Sequence, residues 1–233
     1  RYLVTFMIGD EANAIYAVAT KIPTILLIVA DIFATDWQLS ALKEQSRLEK
    51  ERFFSNVFGV YQSLAFLVGS GLILTAKIST SLLAAPDYFT AWQYIPVLVL
   101  SSTFACFSSF LSSVYMVEKR SVATLVTTMA GAALNLVGNF LLIPKWGIMG
   151  AAVSTMVSYF FMFIIRAIHT RTMLRIRWSG AQFLVNLLLT TLQCLVMEWN
   201  LPGWPIWSTL CLLLVVVLNA KNLLKAVLKI LRK

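Results

Sequence analysis

Long apolar runs separated by short polar breaks recur along the whole chain. A helix that crosses ~30 Å of hydrocarbon needs roughly 20 apolar residues. Seven segments meet that requirement: approximately 12–39, 54–77, 92–116, 121–143, 147–168, 181–199 and 205–220. Residues 1–8 read as the end of a further helix, and 205–220 is the shortest of the set. The breaks between runs leave no room for a soluble domain. The pattern predicts an all-α, polytopic membrane helix bundle.

Composition agrees with this pattern. Hydrophobic residues make up 59% of the chain and charged residues 12%, about half the share of an ordinary soluble domain. A net charge of +9 raises the question of nucleic acid. The basic residues, however, fall mainly in short connections between apolar runs, which is a topology signal and excludes a nucleic-acid surface. One set of connections and helix ends holds Lys43, Arg47, Lys50, Arg52, Lys119, Arg120, Arg166, Arg171, Arg175 and Arg177, and the tail adds Lys221, Lys225, Lys229, Arg232 and Lys233. The alternate connections hold only Lys77 and Lys145, beside Asp10, Glu11, Asp87 and Glu198. The positive-inside rule therefore assigns the Lys/Arg-rich side, and with it the C-terminus, to the cytoplasm. Residues 221–233 alternate a basic stripe with Leu224, Val227, Leu228 and Leu231, the pattern of an amphipathic helix on an anionic leaflet. Cys106, Cys194 and Cys211 lie in apolar runs without ligand spacing, so no metal or disulfide is expected, and no cofactor motif is present. His169, the lone histidine, reads as a surface residue among arginines.

Ionisable groups inside a span are costly, roughly 2.5–3.5 kcal/mol each on insertion scales, and need a partner or water. Arg1, Lys21, Asp31 and Asp36 are such groups. On the second helix Asn13, Thr20, Thr24, Asp31 and Thr35 recur at helical spacing, with Lys21 about 100° away, and Pro23 removes a backbone donor. A polar stripe with a kink suits a helix that lines an aqueous cavity. The plainer alternative is that the threonines bond their own backbone and Lys21 reaches for the interface. Further on, Asn135 and Asn139 lie one turn apart, Pro144 ends their helix, and Gly147 and Gly150 permit a close hairpin into Ala151, Ala152, Thr155 and Ser158. The two asparagines suit a scaffold between helices better than contact with a substrate.

The run N-x3-N-x4-P-x2-G-x2-GAA-x2-T-x2-S, from Asn135 to Ser158, resembles the C-terminal half of bacterial polysaccharide flippases of the Wzx type, members of the multidrug, oligosaccharidyl-lipid and polysaccharide exporter superfamily. YAVATKIP, from Tyr16 to Pro23, and FATDWQ, from Phe33 to Gln38, resemble the two ends of one flippase helix. Arg1-Tyr2 resembles the end of an Asp-Arg pair on the preceding helix. The resemblance implies a second six-helix lobe over residues 1–168, truncated at its start, an extra helix pair over 169–220, and the basic tail 221–233. The chain, which begins with Arg1, then reads as an internal or C-terminal piece whose first lobe is missing.

The same resemblance implies a transporter, not an enzyme, that flips polyprenyl-pyrophosphate-linked oligosaccharide across the bacterial plasma membrane for polysaccharide biosynthesis. Its partners would be that substrate, membrane lipids, the missing N-terminal lobe and the polysaccharide polymerase machinery. Arg1 and Lys21 would meet the pyrophosphate, Asp31 would couple an ion, and Thr24, Asn135 and Asn139 would supply cavity or scaffold polarity. A multidrug or cation antiporter of the same superfamily is the first alternative. A membrane glycan-processing enzyme is the second, disfavoured because Asp10, Glu11, Asp87 and Glu198 show no acid–base pairing and no catalytic residue can be named.

Overall fold

The computed structural model describes residues 2–41 and 46–231. Helices α1 (Tyr2–Ile8), α2 (Asp10–Ala41), α3 (Arg47–Leu74) and α4 (Ala76–Leu83) are followed by a 3-10 segment (Pro86–Tyr94), then α5 (Ile95–Val117), α6 (Ser121–Thr170), α7 (Gly180–Glu198) and α8 (Trp204–Leu231). No strand occurs among the described residues. Six of these helical stretches are long and apolar enough to cross a membrane.

One of the six is really two. Helix α6 has 50 residues, but Gly147 sits at φ 55°, ψ −133°, a conformation closed to L side chains, and there the chain folds back. The arms run antiparallel, with Ser154 Oγ donating to the Asn135 carbonyl at 3.0 Å and Arg166 Nε donating to Thr127 Oγ1 at 3.0 Å. Gly150 permits the fold-back, since a Cβ there would collide with the carbonyl of Leu142 and the amide of Ile143. All seven apolar segments read from the sequence therefore return as helical crossings.

Local signals explain several boundaries. Gly9, at φ 117°, separates α1 from α2, whose first turn carries Asp10 and Glu11 against the positive end of the helix dipole. Helix α3 begins at a capping box: Ser46 Oγ accepts from the Glu49 amide at 3.2 Å while Glu49 Oε2 accepts from the Ser46 amide at 3.0 Å. It therefore starts well before the apolar run does, and its first turns carry the Arg47–Glu51 pair at 3.2 Å. At the other end of the chain α8 passes residue 220 without a break and continues to Leu231.

Helix α5 is the central element, and most of its residues are buried. Around it an aromatic core joins α2, α3, α6 and α7: Trp37 lies 4.8 Å from Phe110, Phe58 lies 4.8 Å from Trp178, and Phe163 stacks on Phe183 at 5.6 Å. Lipid tails are as apolar as leucine, so tight ring packing of this kind, not water expulsion, holds such helices together. Helices α7 and α8 are fixed to α3 by buried amides. Ser70 Oγ donates to Gln193 Oε1 at 2.7 Å, and Gln193 Nε2 reaches Ser208 Oγ at 2.9 Å. Asn219 Nδ2 donates to Asn186 Oδ1 at 2.8 Å and receives the return bond at 3.2 Å.

The connections separate into two ends. At one, Lys50 Nζ meets Glu118 Oε1 at 3.1 Å, and the amides of Arg175 and Arg177 donate to Glu51 and Ser55 of α3. At the other, Lys77 Nζ lies 4.1 Å from the Trp92 ring and 4.4 Å from the Trp204 ring, and donates to Asn200 Oδ1 at 2.8 Å. Burial lowers the Lys77 pKa, while the two ring faces favour its charged form. Among the described residues this division follows the Lys/Arg-rich and Lys/Arg-poor sides of the sequence pattern, except at Arg166.

Candidate functional site

Arg166 does not sit at the Lys/Arg-rich boundary. It is 4% exposed, inside the bundle, where the second arm of α6 faces α5 and the first arm. Its guanidinium donates to Thr127 Oγ1 at 3.0 Å, to Thr128 Oγ1 at 2.9 Å and to the Ser108 carbonyl at 2.8 Å. All three partners are neutral. Among the described residues the ion pairs are Arg47–Glu51 and Lys50–Glu118, so no carboxylate neutralises Arg166.

Arg166 forms part of the wall of a cavity of about 350 Å³ between α2, α5 and α6. The same wall carries Asp31, Ser108, Ser112, Thr124 and Tyr159. Ser108 Oγ is buried and has no hydrogen-bond partner, an unusual state for a polar atom in a well-packed region. Through Ser109, Ser112, Thr124 and Thr128 the cavity adjoins a second of about 530 Å³, which extends to Gln38, Ser113 and Ser121. Through Thr128, Tyr159 and Met162 it adjoins a third of about 290 Å³, bounded by Asn135, Thr155 and Ser158. The three make one hydroxyl-lined groove along the bundle, with a cation and a carboxylate at its middle.

The residues singled out from sequence divide around this groove. Asp31 is on its wall, exposed and without an ion pair among the described residues. Asn135 lies at its far end, where Nδ2 donates to Thr155 Oγ1 at 3.3 Å and the Tyr16 hydroxyl of α2 approaches the same oxygen at 3.4 Å. Asn139 is buried and spends its amide on the Asn135 carbonyl and Oδ1, at 2.7 and 2.9 Å. Of the two, Asn135 bonds the second arm, through Thr155 and Ser154, while Asn139 bonds Asn135 on its own arm. Lys21 and Thr24 are exposed on α2 and line none of the three cavities. Ten residues separate Lys21 from Asp31, about 15 Å of helix. Thr24 Oγ1 donates to the Thr20 carbonyl at 2.8 Å and Thr35 Oγ1 to the Asp31 carbonyl at 2.9 Å, so these hydroxyls serve their own helix. Arg1 and the Asp36 side chain lie outside the described residues.

One correction and one addition follow for residues read from sequence. Arg166, counted there as a boundary charge, is a buried groove residue; Arg166 interrupts the apolar run FFMFIIRAI, with aliphatic residues on both sides, and that was the available signal. His169, read as a surface residue, is exposed, and its Nδ1 is also 3.1 Å from the buried Tyr115 hydroxyl. No group of three or more His, Cys, Asp or Glu among the described residues could hold a metal ion.

No family model matches the chain. The chain is 35% identical over 85 residues to an uncharacterized membrane protein of Methanocaldococcus jannaschii, a match covering 36% of this chain and 17% of that protein. The matched portion is thus a small part of the relative's length. Together with the six long apolar helices and their all-α packing, it makes this chain a multi-pass helical membrane protein.

Proposed function

We propose that the chain is one lobe of a transporter that moves an amphiphile with an anionic headgroup, a polyprenyl-pyrophosphate-linked oligosaccharide, across the membrane. The observation that carries this reading is Arg166: a buried guanidinium with only neutral partners, on the wall of a hydroxyl-lined groove. An uncompensated cation at that depth is costly, and an anionic cargo would offset the cost while it is bound. The free Ser108 Oγ and the serines and threonines around it supply hydrogen bonds for phosphate and sugar hydroxyls. Because the groove is open, a headgroup could occupy it while the lipid tail stays in the bilayer. Transport by rocking against a second lobe would then alternate its exposure.

The test uses the complete protein in proteoliposomes with a fluorescent polyprenyl-pyrophosphate sugar. Arg166→Gln is expected to lower translocation about tenfold to a hundredfold, the range of one or two charge-assisted bonds. Wild-type rates in a correctly folded Arg166→Gln protein overturn the proposal. A second reading, a multidrug or cation antiporter, is favoured by one observation: Asp31 is an unpaired carboxylate on the same wall. Efflux of a cationic dye that Asp31→Asn abolishes, with no movement of the lipid-linked sugar, would select it instead.

A further inference from the structure

At the Lys/Arg-rich end, the α5–α6 turn and the last turn of α6 bound another cavity, of about 540 Å³. Its polar wall is Lys119, Arg120 and His169, and its apolar wall includes Val122, Val126 and Met173. No acidic side chain lines it. The adjacent acid, Glu118, is engaged with Lys50 at 3.1 Å, and among the described residues neither Lys119 nor Arg120 joins an ion pair. The turn itself is well defined: Lys119 adopts φ 55°, and the Arg120 amide donates to the Tyr115 carbonyl at 2.7 Å. Tyr115 also holds His169, so one buried residue positions both sides of the cavity. Helix α6 starts here with no side-chain cap and no acidic residue in its first turn, which leaves its positive dipole end uncompensated. Just beyond, Val122 and Val126 are 73% and 58% exposed, as acyl-facing side chains are.

We propose that this cavity binds the headgroup of an anionic phospholipid from the cytoplasmic leaflet. The lipid phosphate meets Lys119 and Arg120, and its acyl chains lie along Val122 and Val126. Charge and depth both match. Phosphate oxygens accept charge-assisted bonds from lysine and arginine, and basic pockets between helices at the cytoplasmic boundary suit such headgroups. The lipid would be a standing component of the lobe. Ser121 borders both this cavity and the mouth of the groove, but the proposal holds whatever the groove carries.

The test is native mass spectrometry of the full chain released from mixed micelles of phosphatidylglycerol and phosphatidylcholine. Wild type is expected to retain phosphatidylglycerol preferentially. Lys119→Asn with Arg120→Gln is expected to reduce that preference about tenfold or more, asparagine being chosen because it tolerates the left-handed turn. Lys145→Gln, on the opposite side, is expected to leave it unchanged. An unchanged preference in the double variant overturns the proposal. So does displacement of the lipid by equimolar inorganic phosphate, which would make this a soluble-anion site. Should the double variant fail to fold, Val126→Trp in the otherwise native chain gives a second readout. Its added emission should be quenched more by brominated phosphatidylglycerol than by brominated phosphatidylcholine, and equal quenching overturns the proposal.

Discussion

Two regions of this protein place polar side chains deep in an apolar bundle, and they treat them in opposite ways. Between α3, α7 and α8 the amides of Gln193, Asn186 and Asn219 are fully buried and bonded to one another or to Ser70 and Ser208. Between α2, α5 and α6 the polar groups line open space, Ser108 Oγ has no partner, and Arg166 and Asp31 share a wall without pairing. The first arrangement is closed and specifies how helices dock. The second leaves polarity unspent, and unspent polarity in a membrane is what a ligand or water can use. Polarity inside a span is therefore not itself a functional signal; saturation by neighbours decides.

The contrast is broken most severely at Arg166. Its threonine partners keep their own bonds when it is removed: Thr127 Oγ1 donates to the Ala123 carbonyl and Thr128 Oγ1 to the Thr124 carbonyl, each at 2.8 Å. Arg166→Gln is therefore expected to melt within about 1 kcal/mol of wild type, since it orphans no buried donor. Its transport, in the assay above, is expected to fall by one to two orders of magnitude. A collapse of stability with unimpaired transport per folded molecule would instead place Arg166 among the structural residues.

The next largest effect lies at the hairpin of α6, both of whose arms contribute to the groove. A Cβ at Gly150 would meet backbone atoms of Leu142 and Ile143, which cannot step aside as a flexible side chain can. Gly150→Ala is expected to lower the unfolding midpoint in detergent by the equivalent of about 1–3 kcal/mol, the usual range for overpacking. An unchanged midpoint would mean that the arms separate freely at this contact.

Gln193→Leu probes the closed region. It removes the partner of Ser70 and Ser208 and leaves two buried hydroxyls to find others. Bonds between membrane helices average about 0.6 kcal/mol and reach about 1.7, so a loss of about 1–2 kcal/mol is expected in thermal unfolding. Transport per folded molecule should stay within about twofold of wild type, well inside 0.6 kcal/mol. A selective transport defect with normal stability would erase the distinction between the two regions.

Apolar run lengths made the fold legible, because the spans are set by bilayer thickness, and Pro144 and Gly147 marked the hairpin that a helix assignment alone would miss. That Asn135 and Asn139 share one helix face and meet there was legible from their one-turn spacing. The groove was less so. Counting basic residues by side treats an arginine near a helix end as a boundary charge, and only the folded partners, Ser108 of α5 and Thr127 and Thr128 of the first α6 arm, bring Arg166 inside. Gln193 and Asn219 are isolated amides in apolar runs, with partners on other helices that periodicity cannot reveal. Asp31 was found because it belongs to a stripe on one helix. Whatever depends on a single helix could be read; whatever depends on which helices meet could not.

Thr24 gives the smallest and most discriminating effect. It shares the α2 stripe with Asp31, so periodicity alone ranks the two together. The structure separates them: Thr24 bonds the Thr20 carbonyl and lines none of the three cavities, whereas Asp31 has no ion pair among the described residues and lines the groove. Thr24→Val keeps the branched shape, removes a hydroxyl already satisfied within its helix, and leaves no buried group orphaned. Stability is expected to change by less than about 0.5 kcal/mol, as for substitutions away from special features. Transport should match wild type, while Asp31→Asn in the same assay alters it. If Thr24→Val instead stops transport, the polar stripe of α2 faces the cargo along its whole length, and the groove between α2, α5 and α6 is only one bank of a wider passage.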